Sequence, residues 1–138
     1  MFAGTGSVGI EALSQGASYA RFFELDRKAY QVLEENIKTT QFEDQAKLVR
    51  GNAYKLIAQP PNHQFEYIFI APPQYKEMWQ KAVQLVDENI GWLVSDGWVI
   101  VQIDPKEMEE LTLENLTEIE RRKYGRTLLV FYERNAGD

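Results

Sequence analysis

The sequence predicts an α/β fold, a mostly parallel sheet with helices on both faces, closed by an antiparallel hairpin. Three observations predict it. Strand-like and helix-like stretches alternate along most of the chain, the pattern of a parallel sheet with crossover helices. The opening "MFAGTGSVGIEAL" is a glycine-rich loop running into a helix, and such loops normally follow a strand that aims them at a ligand. The closing "LTEIERRKYGRTLLVFYER" gives two strands joined around Tyr124-Gly125, and so short a connection forces them antiparallel.

The elements follow in order. Ser7 to Gln15 reads as a short helix with Val8, Ala12 and Leu13 on its apolar side and Gly16 as its stop. Tyr19 to Leu25, "YARFFEL", reads as a strand. Arg27 to Thr40 carries helical spacing, with Tyr30, Leu33 and Ile37 on one face. "AKLVRG" is a short strand and Asn52 to Ala58 a short helix. Phe65 to Ala71, "FEYIFIA", is aromatic and β-branched and reads as a buried central strand. Pro72-Pro73 ends it, because proline cannot donate to a ladder. Lys76 to Glu88 is an amphipathic helix with Met78, Trp79, Ala82, Val83 and Val86 as apolar positions. Gly97 to Ile103, "GWVIVQI", is another buried strand, followed by a weak helical or coil stretch before the hairpin.

The 138 residues suffice for one domain with a real core, so the whole chain, 1–138, is expected to form a single domain. No apolar run approaches the roughly 18 residues of a membrane span, and the N-terminus lacks the layout of a signal peptide. There is no cysteine, hence no disulfide framework and no thiolate metal site. The cytoplasm is the default location. A net charge of −6 argues against a large non-specific nucleic-acid surface. Arg121, Arg122, Lys123 and Arg126 form a basic cluster, read here as a solvated hairpin tip in preference to an RNA contact. His63 sits alone in "PPNHQF", and no spacing of His, Asp and Glu suggests a metal.

Gly4, Gly6 and Gly9 make a G-x-G-x-x-G pattern, in which glycine allows a tight turn and close approach of backbone N–H groups to a ligand. Glu24 lies at the end of the next strand, where a carboxylate can accept hydrogen bonds from ribose hydroxyls. The ordinary alternative is a helix start that needs small residues and an exposed acid at a strand end. A dinucleotide and S-adenosylmethionine both fit the pattern. The "IAPPQY" turn favours the second, since a tight double proline at a strand's carboxyl end can press a flat amino-bearing base against a methyl donor. Pro60-Pro61 shows that the chain also uses the pair in a plain loop.

The stretches "FAGTGSVGIEALSQGA", "FFELDRKAYQVLEENI", "RGNAYKLI", "YIFIAPPQY" and "KYGRTLLVFYER", in that order, resemble the RsmD-type family. These are bacterial methyltransferases of small-subunit (16S) ribosomal RNA that act on a guanine exocyclic N2. The resemblance implies a Rossmann-like class I methyltransferase sheet, S-adenosylmethionine as cofactor, and rRNA or the assembling small subunit as partner. It implies that Phe2, Ala3, Gly4, Thr5, Gly6, Ser7 and Gly9 cradle the methionine part of the cofactor. It assigns Glu24 to the ribose, Leu25 and Asp26 to the flanks of the adenosine, and Asn52 and Ala53 to the adenine edge. The catalytic element falls on Ala71, Pro72, Pro73, Gln74 and Tyr75, with Tyr75 placed to stack on a flipped base.

The sequence departs from the family's element twice. Ala71 stands where the family has Asp or Asn, and Gln74 intervenes before the aromatic. An Asp or Asn accepts a hydrogen bond from the target amine and aims it, and alanine cannot, so a cofactor-binding module without activity that acts in ribosome assembly is one alternative. An NAD(P)-binding oxidoreductase domain is another. It explains the glycines and Glu24 but not the "APPQY" turn or the hairpin. In the family's fold a strand precedes "FAGTG" at the centre of the sheet, between the strands at Tyr19–Leu25 and Phe65–Ala71. That first strand is expected to be missing from this chain and to lie upstream of Met1. Two unpaired edges would then flank the gap and invite self-association.

Overall fold

The computed structural model describes residue 2, residues 6–72 and residues 78–135. They form two compact units, Met1–Ala53 and Tyr54–Asp138.

The first unit is built from α1 (Ser7–Ser14), β1 (Ala20–Glu24), α2 (Arg27–Thr40) and β2 (Ala46–Arg50). β1 and β2 pair in parallel, from Ala20 opposite Ala46 to Glu24 opposite Arg50. Asp26 caps α2 through a 2.8 Å bond from the Ala29 N–H to its Oδ2, which satisfies one of the unpaired donors at the helix start. The α2 stripe is the one its spacing predicts. Leu33 and Ile37 are buried with Leu13 and Phe22, and Ile10, Tyr30, Phe42 and Leu48 pack around them. Each large side chain buried in this way contributes roughly 1.5–3 kcal/mol.

The second unit holds most of α3 (Ala53–Ile57), then β3 (Phe65–Ile70), α4 (Met78–Glu88), β4 (Leu93–Ile103), β5 (Leu116–Tyr124) and β6 (Thr127–Arg134). Its sheet has the order β3-β4-β6-β5. β3 and β4 are parallel, and β6 runs antiparallel to both β4 and β5. One sheet face is dry, with Ile68, Ile70, Val99, Val101 and Val130 buried. α4 packs against β3 and β4 and buries Trp79, Ala82, Val83 and Val86. The other face carries an aromatic row. Tyr67 meets Trp98 edge-on at 6.2 Å, and Trp98 meets Phe131 edge-on at 5.9 Å.

The expected α/β class is borne out, with two parallel strand pairs and a closing antiparallel hairpin. The helical and strand bounds shift by a residue or two. The exception is β4, which begins at Leu93 instead of Gly97. Its register jumps between the pairs Phe65–Leu93 and Tyr67–Trp98, so the strand bulges, and Asp96 takes a left-handed φ of 62° within the bulge. β1 pairs only with β2, and β3 only with β4, among the described residues. These are the two strands expected to flank the gap.

Candidate cofactor site and catalytic turn

Of the cofactor residues read from the sequence, Glu24, Leu25, Asp26, Asn52 and Ala53 fall at or just after the carboxyl ends of the parallel strands β1 and β2 of the first unit. Gly6 is the N-cap of α1, with a left-handed φ of 83° and no side-chain cap on the helix start. A Cβ there would lie 2.4 Å from Leu33 Cδ1, so both the dihedral and the space exclude other residues. A Cβ on Gly9 would lie 2.2 Å from the Phe22 ring, so that glycine lets helix and strand approach closely. Its demand is internal packing, whatever it does toward a ligand. The uncapped first turn of α1 presents backbone N–H groups, and the Ile10 N–H returns to the Gly6 carbonyl at 2.9 Å.

Glu24 closes β1. Its Oε2 accepts a 2.9 Å bond from the Asp26 N–H, which holds the carboxylate over the strand end. Its carbonyl accepts from the Gly51 N–H at 3.1 Å, and that bond brings Asn52 and Ala53 beside Glu24. Leu25 is 61% exposed, a large apolar side chain open at the strand end. Ala53 is buried and begins α3. Asp26 already serves as the cap of α2. Phe2 is half-buried. Ala3, Gly4 and Thr5 lie outside the described residues, as does the Ser7 side chain.

The second unit carries the start of the catalytic turn. Ala71 and Pro72 follow β3 directly and are half-buried. With Gln102, Ile103 and Thr127 they line a small cavity of about 90 Å³. Sequence reasoning missed those last three residues. The signal was the hairpin register, since β6 starts opposite the end of β4, with Leu128 beside Ile103. Pro73, Gln74 and Tyr75 lie outside the described residues. A larger cleft of about 460 Å³ opens at the opposite end of β3 and β4, between Tyr67 and the bulge at Val94–Gly97, far along the strands from Ala71. Among the described residues no group of His, Cys, Asp and Glu could hold a metal, and no helix is long and apolar enough to cross a membrane. His63 is exposed, with its ring 4.5 Å from Phe65.

The family model described as "Conserved hypothetical protein 95" matches residues 1–133. The chain belongs to this family. Among its relatives, YlbH of Bacillus subtilis is 31% identical over 136 residues, which is 97% of this chain and 73% of the relative. A Haemophilus influenzae relative named "Ribosomal RNA small subunit methyltransferase D" is 32% identical over 126 residues, 90% of this chain and 64% of its own length. A solved structure of a conserved hypothetical protein from Streptococcus pyogenes superposes with a TM-score of 0.86 at 26% identity, covering 97% of this chain and 82% of that one. The RsmD-type resemblance read from the residues is therefore borne out at the level of family.

Proposed function

We propose that this family member binds S-adenosylmethionine and methylates the exocyclic N2 of a guanine in small-subunit rRNA. The observation that carries the reading is the pairing of the held Glu24 carboxylate with the Asn52–Ala53 pair at the carboxyl ends of β1 and β2, in the same unit as the glycine-started helix α1. The donor set fits the cofactor. Gly6 leaves room only for backbone, Glu24 offers a held carboxylate for ribose hydroxyls, and Leu25 offers an exposed apolar side chain beside it. The cofactor, when bound, supplies an electrophilic methyl group. The name of the Haemophilus relative supports rRNA as the substrate class.

The chain's own residues then have separate tasks. Glu24 orients the ribose, and the α1 N-terminus offers N–H groups to the carboxylate end of the methionine part. Ala71 has no side-chain acceptor, so the target amine would be held by the Gln74 amide oxygen or by a main-chain carbonyl of the turn. Methyl transfer rests on in-line positioning more than on proton transfer, so a rigid proline turn can contribute by geometry alone. Ala71 is also the observation that favours the second reading, a cofactor-binding module without activity in ribosome assembly. Detection of N2-methylguanosine in RNA incubated with the protein separates the two.

Titration calorimetry tests the cofactor assignment. S-adenosylhomocysteine should bind and NAD should not. Glu24→Ala should weaken binding by about 1–3 kcal/mol, the cost of leaving polar partners unpaired, and Glu24→Gln should lose less. Tight NAD binding with no heat from S-adenosylhomocysteine refutes the proposal.

A further inference from the structure

We infer that the tip of the β5–β6 hairpin is a phosphate-gripping surface for the substrate RNA strand, set beside the Ala71–Pro72 turn. The inference rests on the methyltransferase reading and deepens it. Residues 121–126, "RRKYGR", hold Arg121, Arg122, Lys123 and Arg126, four of the 15 Lys and Arg in a chain of net charge −6. All of β5 beyond Leu116 is exposed. Arg121 pairs with Glu118 at 2.6 Å and Arg122 with Glu120 at 2.9 Å. Lys123 and Arg126 have no acidic partner among the described residues. Tyr124, between them, is 59% exposed.

The ordinary explanation is an edge strand that carries charge to prevent pairing with another sheet. That accounts for the mixed charges along β5. It does not account for two cations at the turn itself that have no acidic partner among the described residues. Topology places them. β6 begins at the carboxyl end of β4, with Leu128 opposite Ile103, and Thr127 shares a cavity with Ala71 and Pro72. The basic tip therefore borders the turn that the family reading makes catalytic. An arginine offers a planar fork to phosphate and a lysine a point charge. An exposed tyrosine between them can stack on an unpaired base. Such contacts give affinity without sequence specificity, as a strand positioned for methylation of one base requires.

Fluorescence anisotropy with a fluorescein-labelled, short single-stranded RNA of mixed sequence tests this. The variant Lys123→Gln/Arg126→Gln should bind about tenfold more weakly at low salt. Its log–log salt slope should be shallower by about 1.4, since each phosphate contact to a single strand contributes about 0.7. Parent affinity should therefore fall about sevenfold further than variant affinity between 50 and 200 mM salt. The charge-matched control Lys38→Gln/Lys47→Gln, on exposed positions of the first unit, should change binding by less than about twofold. Glu118→Gln/Glu120→Gln removes the partner of Arg122 and the closer of the two partners of Arg121, Glu110 at 4.0 Å remaining, and should tighten binding. Equal losses in the tip variant and the control, or a parent that binds no RNA at low salt, overturns the inference. The same preparations are titrated with S-adenosylhomocysteine. Loss of that binding alone sinks the methyltransferase reading and leaves the RNA surface standing, and loss of RNA dependence alone does the reverse.

Discussion

Asp87 is the strongest test of how the second unit is held together. It is 6% exposed, the one charged side chain buried among the described residues. It sits in the last turn of α4, where the helix dipole disfavours a carboxylate by about 0.3–1 kcal/mol. Three backbone donors offset this. Oδ1 accepts from Asn115 N–H at 2.7 Å and from Leu116 N–H at 3.0 Å, and Oδ2 accepts from Glu114 N–H at 3.0 Å. The Asn115 side-chain amide also donates to the Asp87 carbonyl at 2.8 Å. Asp87→Ala removes three charge-assisted bonds. The Leu116 N–H is left buried without an acceptor, while water can reach the other two in part. At about 1.5–3 kcal/mol for the buried donor and less for the others, the net loss is about 3–4 kcal/mol after the dipole relief. All three tryptophans, Trp79, Trp92 and Trp98, lie in this unit, so tryptophan fluorescence in a urea titration reports on it alone. The midpoint should fall by about 2 M with an unchanged slope. Asp87→Asn keeps one acceptor oxygen and should cost about half as much. An Asp87→Ala midpoint equivalent to a loss under about 0.5 kcal/mol, the range of an ordinary surface change, would refute the reasoning.

Two further substitutions follow from packing. Gly9→Ala drives a Cβ into the Phe22 ring and should destabilise the first unit by about 1–3 kcal/mol, read by far-UV circular dichroism because that unit has no tryptophan. Phe22→Leu in the same chain should recover part of the loss, and strict additivity of the two changes would count against the contact. Tyr132→Phe should stabilise the second unit by about 1 kcal/mol at neutral pH, because the buried Tyr132 hydroxyl has no hydrogen-bond partner among the described residues. Burial also pushes the Tyr132 phenol well above its ordinary value of 10.0. The unfolded chain therefore ionises first, and stability is lost as pH rises past about 10. Tyr132→Phe should flatten that alkaline decline, and an equal decline in both proteins would show that the phenol is not its source.

The repeating elements were legible because their hydrophobic period matched the stripes that the fold buries. α2 runs over Arg27–Thr40 with Leu33 and Ile37 inward, as the sequence predicts, and the structure adds Asp26 as its cap. The start of β4 was not legible, because "VSDG" has turn chemistry. The structure keeps it in the strand as a bulge, with Asp96 tolerating a left-handed φ. Asp87 could have been found. It falls eight residues after Trp79 on the same stripe as Ala82, Val83 and Val86, and a carboxylate on an apolar stripe needs partners. Its partners could not have been named, since they come from the coil at Glu114–Asn115 and the first residue of β5, 27–29 residues later. The motif glycines were legible as a class. The dihedral need of Gly6 and the packing need of Gly9 required coordinates to separate.

The placement of functional groups follows from strand direction more than from any single residue. In a parallel pair every strand exits at the same end, and the chain must return along a helix before it can re-enter. The loops at that exit end are thus the ones that can carry ligand-binding residues without interrupting a ladder. In the first unit the exits of β1 and β2 carry Glu24–Asp26 and Asn52–Ala53, tied by the Gly51 N–H to the Glu24 carbonyl. In the second unit the exit of β3 carries Ala71 and Pro72. An antiparallel strand reverses the rule, because it enters where its neighbours exit. β6 is antiparallel to β4, so the β5–β6 turn arrives at the exit end and brings Thr127 to Ala71 and Pro72. A parallel last strand would have put its entry loop, and Arg126 with it, at the far end beside Tyr67 and the β4 bulge, while Arg121–Lys123 would have stayed at the exiting end of β5. The closing hairpin therefore brings an excess of positive charge to an exit end where β4 runs into Asp104, Lys106 and Glu107, a segment of net negative charge.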